Sequence, residues 1–140
     1  MVKKVTRTGV YGLVVKQGRI LLVTQRVGPY AGKYDFPGGG LEHGETFEEA
    51  LRREFLEEVS MQFECMQLLS AVTTQIHYIF DLDNSERDFY QVGVIYSVKG
   101  LKEVTNPDTS ERLIFSWVDP GIINPENASP FVCQTLKNKG

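Results

Sequence analysis

Apolar positions along the chain fall into two periods. From Phe47 to Val59 they recur at spacings of three and four: Phe47, Ala50, Leu51, Phe55 and Val59. That is the buried stripe of an amphipathic helix. Thr46 followed three residues on by Glu49 is a capping box, in which hydroxyl and carboxylate satisfy two orphan backbone N–H groups. No Gly or Pro interrupts the run, so the pattern predicts a helix over about 46–59.

The rest of the chain is dominated by β-type patterns. Gly9 to Val15 (GVYGLVV) is β-rich, Gln17-Gly18 makes a turn, and Ile20 to Gln25 (ILLVTQ) follows, so the two runs predict a hairpin. Val27 to Lys33 has loop composition. Tyr34 to Phe36 is extended, because the residue before Pro37 avoids the α region. After the helix, Gln62 to Thr73 reads as one strand. His77 and Tyr78 follow it, and Asp81 to Asp88 is a polar loop. Phe89 to Val98 is near-continuously apolar, which predicts a strand buried on both faces. Val104 to Ser110 is a loop and Glu111 to Val118 a strand. Ser129 to Lys137 is a short helix with Ser129 as cap and Pro130 at its first position. Strands on both sides of one helix, with a second helix late, point to a mixed sheet between helical layers. One hundred and forty residues suit a single domain.

Composition removes several classes of function. A net charge of −3 and a pI near 5.4 argue against nucleic-acid or anionic-membrane partners, which call for a basic face. No apolar run approaches the ~20 residues of a membrane span. The charged start MVKKVTRTG has no apolar run behind it, so no signal peptide is expected. Cys65 and Cys133 lack motif spacing and read as buried, reduced thiols of a cytoplasmic protein.

The helix also carries chemistry. Glu54, Glu57 and Glu58 stand at i, i+3 and i+4, on one face. Like charges so spaced repel, and near a helix C-terminus the macrodipole disfavours them further. The face therefore reads either as a solvated acidic surface or as a cation site. Oxygen ligands without His or Cys select a hard divalent ion, Mg²⁺ or Mn²⁺.

The flanking residues add a motif. Gly39, five residues, Glu45, seven residues, then Arg53-Glu54-Phe55-Leu56-Glu57-Glu58-Val59-Ser60-Met61 resembles the Nudix box, departing from it only at Ser60, where the family has glycine. Glycine suits a left-handed helix end, and serine held there costs about 1 kcal/mol. Ser60 carries no catalytic group. The resemblance covers roughly residues 9–135. It implies an α/β/α sandwich with a mixed β-sheet, and a metal-dependent hydrolase of a nucleoside diphosphate linked to another group. By that resemblance Glu54, Glu57 and Glu58, with the Gly38 carbonyl, hold Mg²⁺, with Mn²⁺ as a substitute. Arg53 orients the glutamates, with Glu45 as its partner.

Further residues enter through the same resemblance. Arg26 ends the early strand and contacts a phosphate, or else forms a strand-end salt bridge. Gly39 lets substrate approach the backbone, and Tyr78 stands where some dinucleoside polyphosphate hydrolases carry a tyrosine. Glu111 is a late-loop glutamate that joins the cluster, a task for which Asp83, Glu86 and Asp88 compete. The general base is Glu54, Glu57 or a late-loop glutamate. No proline follows the box before Pro107, which counts against ADP-ribose. Nucleoside triphosphates, dinucleoside polyphosphates and nucleotide sugars stay open as substrates, for a monomer or homodimer. The contrasting function is a Nudix-like module that binds nucleotide without cleaving it. Prenyl diphosphate isomerisation is a third possibility, unsupported by any cysteine near the box.

Overall fold

The computed structural model describes residues 1–139. Its elements in order are β1 (Lys3–Leu13), β2 (Val15–Lys16), β3 (Arg19–Thr24), β4 (Tyr34–Asp35), β5 (Gly38–Gly40), α1 (Phe47–Val59), β6 (Met61–Gln62), β7 (Cys65–Ile79), β8 (Glu86–Lys99), β9 (Lys102–Glu103), β10 (Phe115–Val118), a 3₁₀ turn (Pro120–Ile122) and α2 (Pro130–Lys139).

Two sheets lie between the helices. One has the order β5-β1-β8-β7 and the other β10-β3-β2, with β4 pairing to β3. The first is mixed: β1 runs parallel to β8 and antiparallel to β5. Alternation along the strands divides the core. Val10, Leu21, Val23 and Val98 pack with Ala50, Leu51, Phe55 and Val59 of α1. Tyr11, Ile20, Leu22, Val72 and Ile95 pack with Phe131 and Val132 of α2. The α/β/α sandwich follows from that division.

Several expectations change. The run Gly9–Val15 is not one hairpin arm. β1 ends at Leu13, and only Val15–Lys16 turns back on β3, through Gln17 and Gly18, both at positive φ. β1 also begins at Lys3, because its polar first half is fixed by pairing with β8, which no apolar period reports. β7 starts after a break and runs to Ile79, so His77 and Tyr78 lie on a strand. Phe89–Val98 is not buried throughout, since Tyr90 is 40% exposed where β8 projects with the β7–β8 hairpin. Only Phe115–Val118 of the run 111–118 is strand. Phe47, the first residue of α1, is exposed and leans on Tyr96 of β8. Cys65 is exposed and Cys133 half-buried, so neither is the enclosed thiol expected.

Candidate active site

The glycine strand β5 and helix α1 meet at the edge of the mixed sheet. The capping box forms as predicted: Thr46 Oγ1 accepts from Glu49 N–H at 3.1 Å, and Glu49 Oε1 accepts from Thr46 N–H at 3.0 Å. This fixes the start of the helix and hence the direction of its carboxylates. Gly39 is what lets strand and helix come so close, since a Cβ there would lie 2.8 Å from Glu54 Oε1.

Arg53 organises the carboxylates. It donates to Glu45 at 2.7 and 2.8 Å, to Glu54 at 2.9 Å, to Glu57 at 3.3 Å and to the Gly40 carbonyl at 3.1 Å. The charge-assisted bonds from Arg53, with one from the Glu42 N–H, hold the Glu45 carboxyl down to about 2, and the bond to Glu45 is the main cause raising the Arg53 pKa. The expected Arg53–Glu45 partnership is therefore present.

Glu58 stands apart from Arg53. Its Oε1 accepts from the Gly38 N–H at 2.9 Å. Burial pushes its carboxyl up to about 9, and the charges of Glu54, Asp35 and Glu57 add to that. Burial also raises Glu54, against the opposing pull of Arg53. In an antiparallel ladder one residue's N–H and C=O point to the same edge. The Gly38 carbonyl therefore points the way its N–H does, toward the Glu58 side.

Among the described residues no three His, Cys, Asp or Glu side chains stand in a metal-holding cluster, because Arg53 draws Glu54 and Glu57 one way and Gly38 holds Glu58 another. The donor set nevertheless fits a hard divalent cation. It is oxygen-only, crowded with like charge, and includes a half-buried carboxyl whose ionised form a positive charge would stabilise.

The more distant candidates lie elsewhere. Arg26 is exposed beyond the end of β3, and its Nη2 donates to the Ser110 carbonyl at 3.3 Å. Tyr78 packs between Phe80 and Phe89 near the hairpin tip, with ring centroids at 6.4 and 6.1 Å. Glu111 is exposed in a turn closed by the Arg112 N–H and the Thr109 carbonyl. Its loop is tied to the end of α1, since Leu113 N–H donates to the Glu58 carbonyl at 2.9 Å and Asn106 Nδ2 to the Leu56 carbonyl at 3.1 Å. Of the acids expected to compete with it, Asp83 lies in the turn and pairs with Arg87, whereas Glu86 and Asp88 belong to β8 and not to a loop, Glu86 beside His77 and Asp88 accepting from Gln75.

Ser60 ends α1 with φ 55 and ψ 46, the left-handed conformation a glycine would take without strain. Its Oγ accepts from Arg112 Nη2. Ser60→Gly is expected to raise stability by about 0.5–1 kcal/mol, because relief of αL strain exceeds the loss of an exposed side-chain contact. A shift of the urea midpoint reads this, and a lowered midpoint would mean that Arg112 contributes more than the strain costs.

Sequence reasoning missed Asp35, which is buried where α2 begins. It accepts from Ser129 Oγ at 2.8 Å and Gln25 Nε2 at 3.2 Å, and burial lifts its carboxyl to about 6. It also missed Arg7 and Tyr11 on β1, whose nearness to the carboxylates depends on pairing that no local pattern reveals.

Comparison with known proteins follows the same geometry. A NUDIX domain family model matches residues 3–135. The nucleoside triphosphatase NudI of Escherichia coli O139:H28 (strain E24377A / ETEC) is 30% identical over 142 residues, covering 96% of this chain and 96% of that protein. An ADP-ribose pyrophosphatase of Methanocaldococcus jannaschii is 37% identical over 63 residues, which cover 45% of this chain and 37% of that protein. The crystal structure of a MutT NUDIX hydrolase from Burkholderia pseudomallei matches with a TM-score of 0.70 at 22% identity, covering 95% of this chain and 97% of that one. That last likeness speaks for the fold alone. The family match extends from β1 into α2 and has the carboxylate helix at its centre, and on that ground this chain belongs to the Nudix hydrolases, enzymes that act on pyrophosphate bonds.

Proposed function

We propose that this chain is a metal-dependent hydrolase of nucleoside triphosphates. The observation that carries the reading is the half-buried Glu58 carboxyl beside Glu54 and Glu57, held by Gly38 where the glycine strand meets the helix. Glu54, Glu57, Glu58 and the Gly38 carbonyl would hold Mg²⁺, with Mn²⁺ as substitute. Such an ion neutralises phosphate oxygens and lowers the pKa of a water.

The chain's own groups do the rest. Gly39 lets the Glu54 carboxylate lie against the backbone, so any substrate contact at Gly39 is made through its backbone. Glu54, Glu57 or Glu111 accepts the proton of the attacking water. The bond formed joins water oxygen to phosphorus, and the bond broken is that phosphorus to its bridging oxygen. The departing phosphate keeps the electron pair. Arg53 keeps the carboxylates aligned through its bonds to Glu45, Glu54 and Glu57. Arg26 and Tyr78 are the outlying substrate contacts.

A relative aligned over 96% of the chain bears a nucleoside triphosphatase's name, whereas the ADP-ribose match is confined to 63 residues. This favours triphosphates over ADP-ribose. No helix among the described residues is long and apolar enough to cross a membrane. The test is release of phosphate and pyrophosphate from a nucleotide panel with Mg²⁺, with Mn²⁺ and with chelator. Metal-dependent release from at least one triphosphate is expected, and the product pair identifies the phosphorus attacked. Tight nucleotide binding without any release would replace this reading with that of a non-catalytic nucleotide-binding module.

A further inference from the structure

We propose that Arg7 and Tyr11 form a phosphate subsite, across the glycine strand from the carboxylates, that holds a substrate phosphate the water does not attack. The inference rests on the hydrolase reading above and concerns residues outside its motif.

Gly9 of β1 lies directly opposite Gly40 of β5. Opposed residues in a ladder project to the same face, with Cβ positions roughly 5 Å apart. Here neither residue has a Cβ. One built on Gly9 would lie 2.8 Å from the Tyr11 hydroxyl, and one built on Gly40 would lie 2.6 Å from Arg7 Nε. The hydroxyl and the guanidinium therefore lie over two neighbouring glycines on one face of the sheet. Successive strand residues alternate faces. Gly39 accordingly presents its bare side to the Glu54 carboxylate while Gly40 presents its own to Arg7. Only the glycine backbone separates the acidic half of the site from this pair of donors.

Neither donor is used among the described residues. Among the described residues Arg7 enters no ion pair, although Glu54 is near enough to feel its charge. Tyr11 is 6% exposed, its ring fixed against Phe131 at 5.0 Å. No hydrogen bond is formed by its hydroxyl, which is not sealed from solvent as those of Tyr30, Ser70 and Thr135 are. A rigid phenol and a guanidinium without an ion-pair partner, over neighbouring glycines of one face, suit a tetrahedral oxyanion. The guanidinium fork matches two of its oxygens and the phenol reaches a third.

The experiment titrates inorganic tripolyphosphate, in excess Mg²⁺, into the wild-type protein, Arg7→Gln and Tyr11→Phe by calorimetry, beside steady-state kinetics on nucleoside triphosphates. Arg7→Gln is expected to weaken tripolyphosphate binding roughly 10- to 100-fold and Tyr11→Phe roughly fivefold. KM should rise by similar factors, with kcat changed less than about threefold. The Tm of Tyr11→Phe should not move, because the ring keeps its packing and no internal hydrogen bond is lost. Equal affinities across the three proteins, no tripolyphosphate binding by the wild type, or a fall in kcat at constant KM would each overturn the subsite. Turnover that ignores Arg7 leaves the hydrolase standing without it. Arg7-dependent tripolyphosphate binding in a protein that hydrolyses no nucleotide leaves the subsite standing and removes the hydrolase reading.

Discussion

Glu58→Gln is expected to lower turnover roughly a thousandfold while making the metal-free protein more stable at neutral pH. Both effects come from one carboxyl placed where its charge is costly. Burial in the folded, metal-free chain pushes the Glu58 carboxyl from its ordinary 4.5 up to about 9. Folding therefore takes up a proton across this window. Stability is highest below the unfolded value and declines as pH rises from about 4.5 to about 9, by up to about 3 kcal/mol at pH 7. Glutamine keeps an oxygen for the Gly38 N–H and has no charge to desolvate, so the decline should vanish with it. Urea midpoints at several pH values, in chelator, read the stability, and phosphate release in Mg²⁺ reads the rate. Near-normal turnover in this variant would sink the assignment of Glu58 to the metal. An unchanged pH dependence would mean that the carboxyl is better solvated than its position implies.

Arg53→Ala should be the more damaging substitution to the fold. It leaves Glu45, Glu54 and Glu57 facing one another and the Gly40 carbonyl without its donor. Removing one partner from an enclosed charge network costs more than the network contributes, because the remaining charges stay desolvated. We expect Tm to fall by roughly 10 °C and kcat to fall about a hundredfold, since carboxylates turned from their productive geometry lose orientation more than affinity. Mg²⁺ should restore part of the lost Tm, because the ion supplies positive charge to the same oxygens. Thermal scans with and without Mg²⁺ read this. A Tm that ignores the substitution would show that solvent already screens the cluster.

The helix and its chemistry were legible because both are local. A capping box, an apolar stripe and three glutamates within five positions are set by the 3.6-residue period, whatever lies around them. The Arg53–Glu45 pair lies one turn of loop and two of helix apart, so sequence spacing nearly determines it as well. Glu111, Tyr78 and Arg26 are different. Their distance from the carboxylates depends on the course of loops and on how far β7 extends, and neither follows from residue type. The structure sets Glu111 on an exposed turn and Tyr78 near a hairpin tip.

By itself the sequence determined an α/β chain with one acidic helix, capped at Thr46 and preceded by a run of glycines, because period, caps and turns act between near neighbours. Only the tertiary structure decided that the run of glycines is a strand lying between Glu54 and Arg7, that Gly9 faces Gly40, and that burial raises the Glu58 carboxyl. Strand pairing joins residues more than thirty positions apart, and burial depends on every element packed over a group. Neither is encoded within the reach of a local pattern, so the electrostatics of this site belong to the fold.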